Sequence, residues 1–347
     1  ADSLVFENGV EFSGTNPQAP PLLTVNIPIG LRFRKNPVKS ITINESILQV
    51  EEGQTLALMG GDVSLEGGES GFLEASGGRV ELGGLSAAGT VGLNSDGSLS
   101  FPEGIERGDV SLSNFAFMDV RSDGGGSIAI NARNIDLVGG EFGGSQLRAG
   151  IASDLGSSEA QAGDITLDAT GTINISQESK IRNRVEENAV GNSGNINVNA
   201  NSLTLTDGAQ LSSSTFGQGD AGSVTITATD TVSFDGKSTG IFSNVGSTSR
   251  QPGVGVGKVG NIFIEAREVS LTDGAQLQAG VFTGGQGEAA GIVSVKAIDS
   301  ISFVGTNSGI FSDVESQAVG DGSEIQLSAR SVVLTDGAIL KASNAGR

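Results

Sequence analysis

The residues of this chain best suited to chemistry are carboxylates and guanidinium groups: Asp168, Asp230 and Asp299, with Arg133, Arg267 and Arg330. Glycosidases need two carboxylates at a defined separation, and polysaccharide lyases combine acidic residues with Lys or Arg. The set therefore raises a β-helical carbohydrate-active enzyme, lyase or hydrolase, as one reading. Its spacing argues the other way. Arg133, Arg267 and Arg330 each directly follow an Ala that closes a short apolar strand, and Asp230 and Asp299 each lie two places beyond such an Ala. Residues recurring at equivalent corners behave as solvated turns, whereas a catalytic cluster is unique. His, the commonest general base and metal ligand, is absent, as are Cys, Trp and Tyr. No catalytic, cofactor-binding or metal-ligating residue is expected, and no cofactor.

Calcium is the second chemistry to weigh. GQGDAGS (217–223), GGQGEAAG (284–291) and AVGDGSE (318–324) superficially resemble Gly/Asp calcium rolls. The calcium nonapeptide works by tandem repetition, and these stretches do not repeat in tandem. They read as Gly-rich loops with solvated carboxylates.

Composition narrows the partners. With 40 acidic against 20 basic residues the net charge is −20, so neither nucleic acid nor anionic lipid suits the chain. No stretch approaches the ~20 apolar residues of a transmembrane helix. Cys is absent, which excludes a disulfide scaffold and thiolate metal sites. Gly occurs 54 times, too often for helices and well suited to many short strands joined by tight turns. Ala1–Val10 has neither a basic start nor a long apolar centre. The sequence is thus expected to be the interior of a longer protein, and its end, SNAGR, to stop inside a repeat.

The elements that must position these residues come from an internal repeat. The pattern G-x-[IV]-x-[ILV]-x-A occurs at 126–132, 163–169, 194–200, 222–228, 260–266 and 291–297, with a seventh copy at 323–329 that starts on Ser323. Its first apolar positions are Ile128, Ile165, Ile196, Val224, Ile262, Val293 and Ile325. A second strand follows each copy, from Ile135/Leu137 to Val332/Leu334. Then come a turn and a third apolar position, as TDGAQL or TDGAIL in some coils and as DGKSTGIF or VGTNSGIF in alternate ones. Each coil is thus three short strands with period-two alternation, two tight turns and one longer loop. Such strands bury nothing complete alone, but stacking at ~4.7–4.9 Å covers each apolar layer with the next. The expected fold is all-β, a right-handed parallel β-helix, a solenoid of three-stranded coils, with handedness following the crossover rule. The seven Ile/Val positions should form one internal column. Phe242 and Phe311, at matching positions two coils apart, are expected to stack internally.

The first third is less regular. Five of the seven prolines fall within residues 14–40, a non-repeating excursion. Apolar pairs return at Ile41/Ile43, Leu56/Leu58, Val63/Leu65, Val80/Leu82, Val91/Leu93 and Val110/Leu112, spaced too tightly for long inserts. The chain divides into 1–124, the end of a secretion-domain-like region with less regular coils, and 125–347, a rod of about seven coils with one long loop per coil. Those loops are expected at 148–163, 182–194, 212–222, 243–260, 278–291 and 312–323, all on one edge.

LVFENGVEFSG (4–14), TNPQAPPLLTVNIPIGLRF (15–33), LALMGGDVSLEGG (56–68) and GGRVELGGL (77–85) resemble the filamentous-hemagglutinin-like two-partner-secretion exoproteins of cyanobacteria, and the later repeats match their rod region. The resemblance covers essentially the whole chain. It implies Sec-dependent export, an outer-membrane two-partner-secretion transporter as partner, and folding into a β-helix outside the cell. The family's Asn-Pro-Asn-Gly type motif does not occur here, so the chain is expected to begin within or just after that domain. The function this implies is a secreted cell-surface structural or adhesive exoprotein, a rigid rod presenting loop surfaces for attachment or aggregation to an unnamed receptor.

Overall fold

The computed structural model describes residues 1–7, 9–14, 27–246, 255–288, 291–322 and 324–346. Among them no helix occurs, and the strands build a parallel β-helix in which each coil contributes to three ladders. The first ladder runs from Thr55–Gly60 through Ser127–Ala132 to Glu324–Ser328. The second runs from Ile41–Asn44 through Ile135–Val138 to Ser331–Thr335. The third has ten strands, from Ile47–Gln49 to Ile339–Asn344. The first two join into one bent sheet because Ile262–Thr272 and Ile292–Val304 turn the corner without a break.

Register follows the repeat. Ile128 pairs with Ile165, Ile165 with Ile196, and Ile196 with Val224. Val224 pairs with Ile262, Ile262 with Val293, and Val293 with Ile325, completing the expected column. The alternation Ser127 out, Ile128 in, Ala129 out, Ile130 in is visible in the burial of each strand. Burying such a side chain contributes about 1.5–3 kcal/mol, and only the neighbouring coils supply the cover.

The motif glycine has a steric reason. A Cβ on Gly194 would lie 2.1 Å from the Gly163 carbonyl oxygen, and one on Gly222 would lie 2.1 Å from that of Gly194. The same clash recurs for Gly260 against Gly222, at 2.0 Å. The backbones are stacked here so closely that no side chain fits. Ser323, the exception in the motif, lies outside the described residues. At the TDGA turns both Asp and Gly are left-handed: Asp207 has φ +54° and Gly208 φ +79°. Asp tolerates that conformation better than most L residues.

The first third departs from the expected regularity. Val91/Leu93 are not in a coil. Gly89–Leu93 pairs antiparallel with Pro28–Phe33, in a five-stranded antiparallel sheet that also holds Ser3–Phe6, Glu11–Ser13 and Leu99–Ser100. An antiparallel strand with one covered face alternates like a coil strand, so the pattern could not separate them. The early coils also do carry a long insert. Residues 85–109 leave after the first-ladder strand Arg79–Gly84 and return at the second-ladder strand Val110–Ser113. Later coils place their long connection elsewhere, after the third strand. The antiparallel sheet packs Phe33, Val91 and Leu99 around Leu85 and Met59 over the outside of the first ladder.

Candidate functional site

The six candidate acids and bases are not gathered into one site. They form separate clasps along the corner between the first and second ladders. Arg133 holds Asp109 through two hydrogen bonds, at 2.9 and 2.6 Å. Arg107, from the early insert, reaches Asp168 at 2.7 Å. Arg267 bridges Asp230 at 2.7 Å and Asp299 at 3.3 Å, and Arg330 takes the other oxygen of Asp299 at 2.6 Å. The Arg133 hydrogen bond holds the Asp109 carboxyl below the usual aspartate range. The same partnership raises Arg133, and Asp230, Glu268 and Asp299 together raise Arg267. These corners are therefore ion-paired ladders rather than freely solvated turns. Exposed pairs of this kind each contribute little, because solvent and salt screen them. Their chemistry is to tie coil to coil.

The long connections start later than the sequence pattern indicated. The third-ladder strands continue to Ile151, Val185, Thr215, Val245, Val281 and Val314, three or four residues into the expected loops. The pattern missed this because the inward row at that level is small or polar: Ala149, Asn183, Ser213, Ser243, Ala279 and Ser312. These hydroxyls and the amide span the coil to backbone carbonyls, Asn183 to Gly163 at 2.8 Å, Ser213 to Gly194 at 2.9 Å and Ser243 to Gly222 at 3.1 Å.

Beyond these strands each connection passes to the next first-ladder strand, and the connections stack on one another. Gly156 pairs with Val190, Val190 with Gln218, Gln218 with Val256, Val256 with Gln286, and Gln286 with Val319. The loop edge thus carries a fourth, interrupted ladder, with exposed chain such as Gly156–Gln161 around it. The former 243–260 segment lies partly outside the described residues, as does Arg250. Within the calcium-like stretches, Asp220 Oδ1 accepts the Lys258 backbone N–H at 2.9 Å. Among the described residues no group of three or more Asp or Glu is placed to hold a metal ion.

Phe242 and Phe311 do not stack internally. Ile241 and Ile310 take the inward positions, so period two turns the phenylalanines outward, half-buried, with Gln278 between them in the ladder. The fully buried aromatic side chains are Phe234 and Phe303 of the second ladder. Sequence reasoning also missed a group on the outer face of the third ladder, where Arg148 lies over Phe117 beside Phe72 and Phe115, Arg182 neighbours Arg148 in the ladder, and Arg184 lies over Phe216. The signal was present, since R-x-R at 182–184 is dense in cations for so acidic a chain.

No helix among the described residues is long and apolar enough to cross a membrane. No curated protein and no solved structure matches the chain. Residues 1–131 match the family model of the TPS secretion domain, a domain of proteins exported through a partner transporter of the outer membrane. That match takes in the antiparallel sheet and the first coils, and the parallel coils continue behind it without a break in register. That match, over 131 of the 347 residues, supports a filamentous-hemagglutinin-like exoprotein of the two-partner-secretion type, placed outside the cell or on its surface.

Proposed function

We propose that the chain is a structural and adhesive rod whose coils hold a loop edge away from the cell for attachment or aggregation. The observation that carries this reading is the constant place of the long connections: in every later coil they follow the third strand, and they stack as a fourth ladder. Length variation in a solenoid concentrates on one face, often the binding face. The reading also holds that the rod is not an enzyme. Its support is the clasped state of Asp168, Asp230 and Asp299, each ion-paired to an arginine. Replacing residues 153–161 by a tight turn is expected to preserve the fold and weaken attachment to a cell or matrix surface. Acidic and neutral polysaccharides incubated with the protein should yield no reducing ends or unsaturated products, with or without calcium. Undiminished attachment after shortening every loop, or turnover abolished by one Asp substitution, would overturn the reading.

A further inference from the structure

The outer face of the third ladder changes character along the rod. One row of outward positions reads Ile47, Phe72, Phe117, Gln146 and Lys180, so it is apolar over its first three coils and polar after them. The row two residues further along the strands reads Gln49, Glu74, Asp119 and Arg148. An apolar strip about 10 Å long, from two coil steps, thus runs beside an acidic one. Phe115 widens the strip, its ring lying 5.7 Å from that of Phe117 at 60°. Phe115 is exposed and held at φ +67°, an uncommon conformation for a bulky residue. Phe142 is exposed too, and its backbone N–H donates at 3.2 Å to the side chain of Asn114, next to Phe115. Aromatic rings gathered at a surface rather than in the core mark interaction sites.

The surroundings of these rings suit a cation. Three phenylalanines carry a guanidinium of the chain itself: Arg107 lies 5.1 Å over Phe101, Arg148 4.0 Å over Phe117 and Arg184 5.2 Å over Phe216. Phe72 and Phe115 have no such cover among the described residues, yet carboxylates flank them. Glu69, Glu74 and Asp119 line one groove with Phe72, Phe115, Phe117 and Arg148. Asp119 is committed to Arg121 at 2.6 Å and faces Arg148 in the ladder. Glu69 and Glu74 enter no ion pair among the described residues, and Glu74 Oε1 accepts the Ser76 hydroxyl at 3.2 Å. Glu45 packs against Gly68 beside them and adds to the negative rim.

We propose that this groove docks an arginine-bearing segment of another protein. The incoming guanidinium lies over Phe72 or Phe115, as Arg148 lies over Phe117, and its N–H groups donate to Glu69 and Glu74. Guanidinium suits the place better than ammonium because it is planar, stacks on rings and forks onto a carboxylate. Charge complementarity points the same way, since a chain of net charge −20 draws a basic partner. A second copy is a poor occupant: Arg79, Arg107, Arg121, Arg133, Arg267 and Arg330 are all held in ion pairs of their own. Phe72 and Phe117 begin their strands, whereas the loop edge follows the ends of the later third strands. The groove therefore goes beyond the adhesive reading of that edge and stands or falls separately from it.

The test titrates the whole chain against a labelled peptide of alternating Arg and Thr, and against its lysine and glutamate counterparts, with fluorescence anisotropy as the readout. The arginine peptide should bind about fivefold more tightly than the lysine one, and the glutamate one not at all. Glu69→Gln and Glu74→Gln should each weaken binding about threefold and flatten its salt dependence. Phe115→Asn removes the ring but keeps a residue that accepts the left-handed backbone, and it should weaken binding about fivefold with the salt dependence unchanged. Asp336→Asn, which removes one negative charge from an exposed turn in the last coil, should have no effect. Hydrogen exchange across 72–74 and 117–119 checks that each variant keeps the fold. The proposal fails if the arginine peptide does not bind, if the lysine peptide binds as tightly, or if Asp336→Asn is as damaging as Glu74→Gln. It fails equally if the groove variants alter only self-association in sedimentation, or only capture of the amino polysaccharide chitosan, because the occupant is then a second copy or a glycan.

Discussion

The backbone N–H of Gly208 donates to the Thr239 hydroxyl one coil further along the rod, at 2.9 Å. Gly274 does the same to Ser308, at 2.8 Å, and Ser308 in turn donates to the Val304 carbonyl at 2.7 Å. These bonds explain why the coils alternate. The TDGA coils put a buried Ala at this corner, Ala209 and Ala275, and expose a turn N–H toward the following coil. The coils ending in GIF place a buried hydroxyl there to accept it. The repeating unit is two coils long because donor and acceptor sit in different ones.

Removing the acceptor should therefore act locally. Thr239→Ala keeps a side chain that the corner already accommodates at Ala209, yet leaves the Gly208 N–H without its partner. A loss of about 1 kcal/mol is expected, the typical contribution of such a bond. Ser308→Ala should cost a similar amount, and the double variant should show the sum, since the two corners share no partner. Denaturant titration would measure this. A double variant no weaker than either single one would mean that the hydroxyls do not serve the turns.

The core of a single coil can be attacked directly. Ile226 is buried between Val198 and Ile264 of the adjacent coils. Ile226→Asp would place a carboxylate in that layer, where an unpaired charge costs several kcal/mol or must take up a proton. Unfolding is expected to start there, with amide exchange fastest over residues 195–246 and 255–265, because each coil is supported only by its neighbours. Uniform protection over that region in the variant would contradict the stacked architecture.

Two carboxylates should shape the acid response with opposite signs. Glu81 is buried under the early insert, and despite its 2.9 Å bond to Arg79, burial raises its carboxyl above the ordinary 4.5. Its contribution is fully present below the unfolded value and is lost as pH rises through the higher folded one. Asp109 is lowered below its ordinary 3.8 by Arg133, so its contribution is present above that value and is lost as pH falls through the folded one. The stability difference between wild type and Glu81→Gln should thus move in favour of wild type as pH falls from 7 toward 4.5. The difference from Asp109→Asn should move against wild type only below about 4, the ordinary aspartate range. Parallel pH profiles for the two variants would show that neither environment acts as described.

The repeat was legible because its signal is steric and apolar. Glycines that must stack backbone on backbone, and Ile or Val at every second place, cannot be disguised. The columns from Ile128 to Ile325 and from Ile135 to Val332 could therefore be read in one dimension. Three features were not legible. Val91 and Leu93 alternate like coil residues, but Leu93 pairs with Leu99 and Val91 with Leu31, the latter a contact across about sixty residues that no local pattern carries. Phe242 looks like core until the inward place is given to Ile241. The clustering of Arg148 with Arg182 depends on which residues are one coil apart, here 34 positions, and the coil length varies.

The row that hid the third-strand extensions supplies the last prediction. Asn183 is fully buried, and its amide makes bonds that no apolar residue can replace. Nδ2 donates to the carbonyls of Gly163 at 2.8 Å and Asn195 at 3.3 Å, while Oδ1 accepts the Gly194 N–H at 3.1 Å. Asn183→Leu matches the volume but strands those backbone groups, at about 1–3 kcal/mol for each one left unsatisfied. Asn183→Ser adopts the solution already used by Ser213, whose hydroxyl reaches the Gly194 carbonyl at 2.9 Å. It also opens a small void, for which the row has precedent in Ala149. Stability should fall in the order wild type, Asn183→Ser, Asn183→Leu, with faster exchange at Gly194 in the leucine variant alone. A leucine variant as stable as wild type would show that hydrophobic burial, not carbonyl capture across the coil, is what this inner row requires.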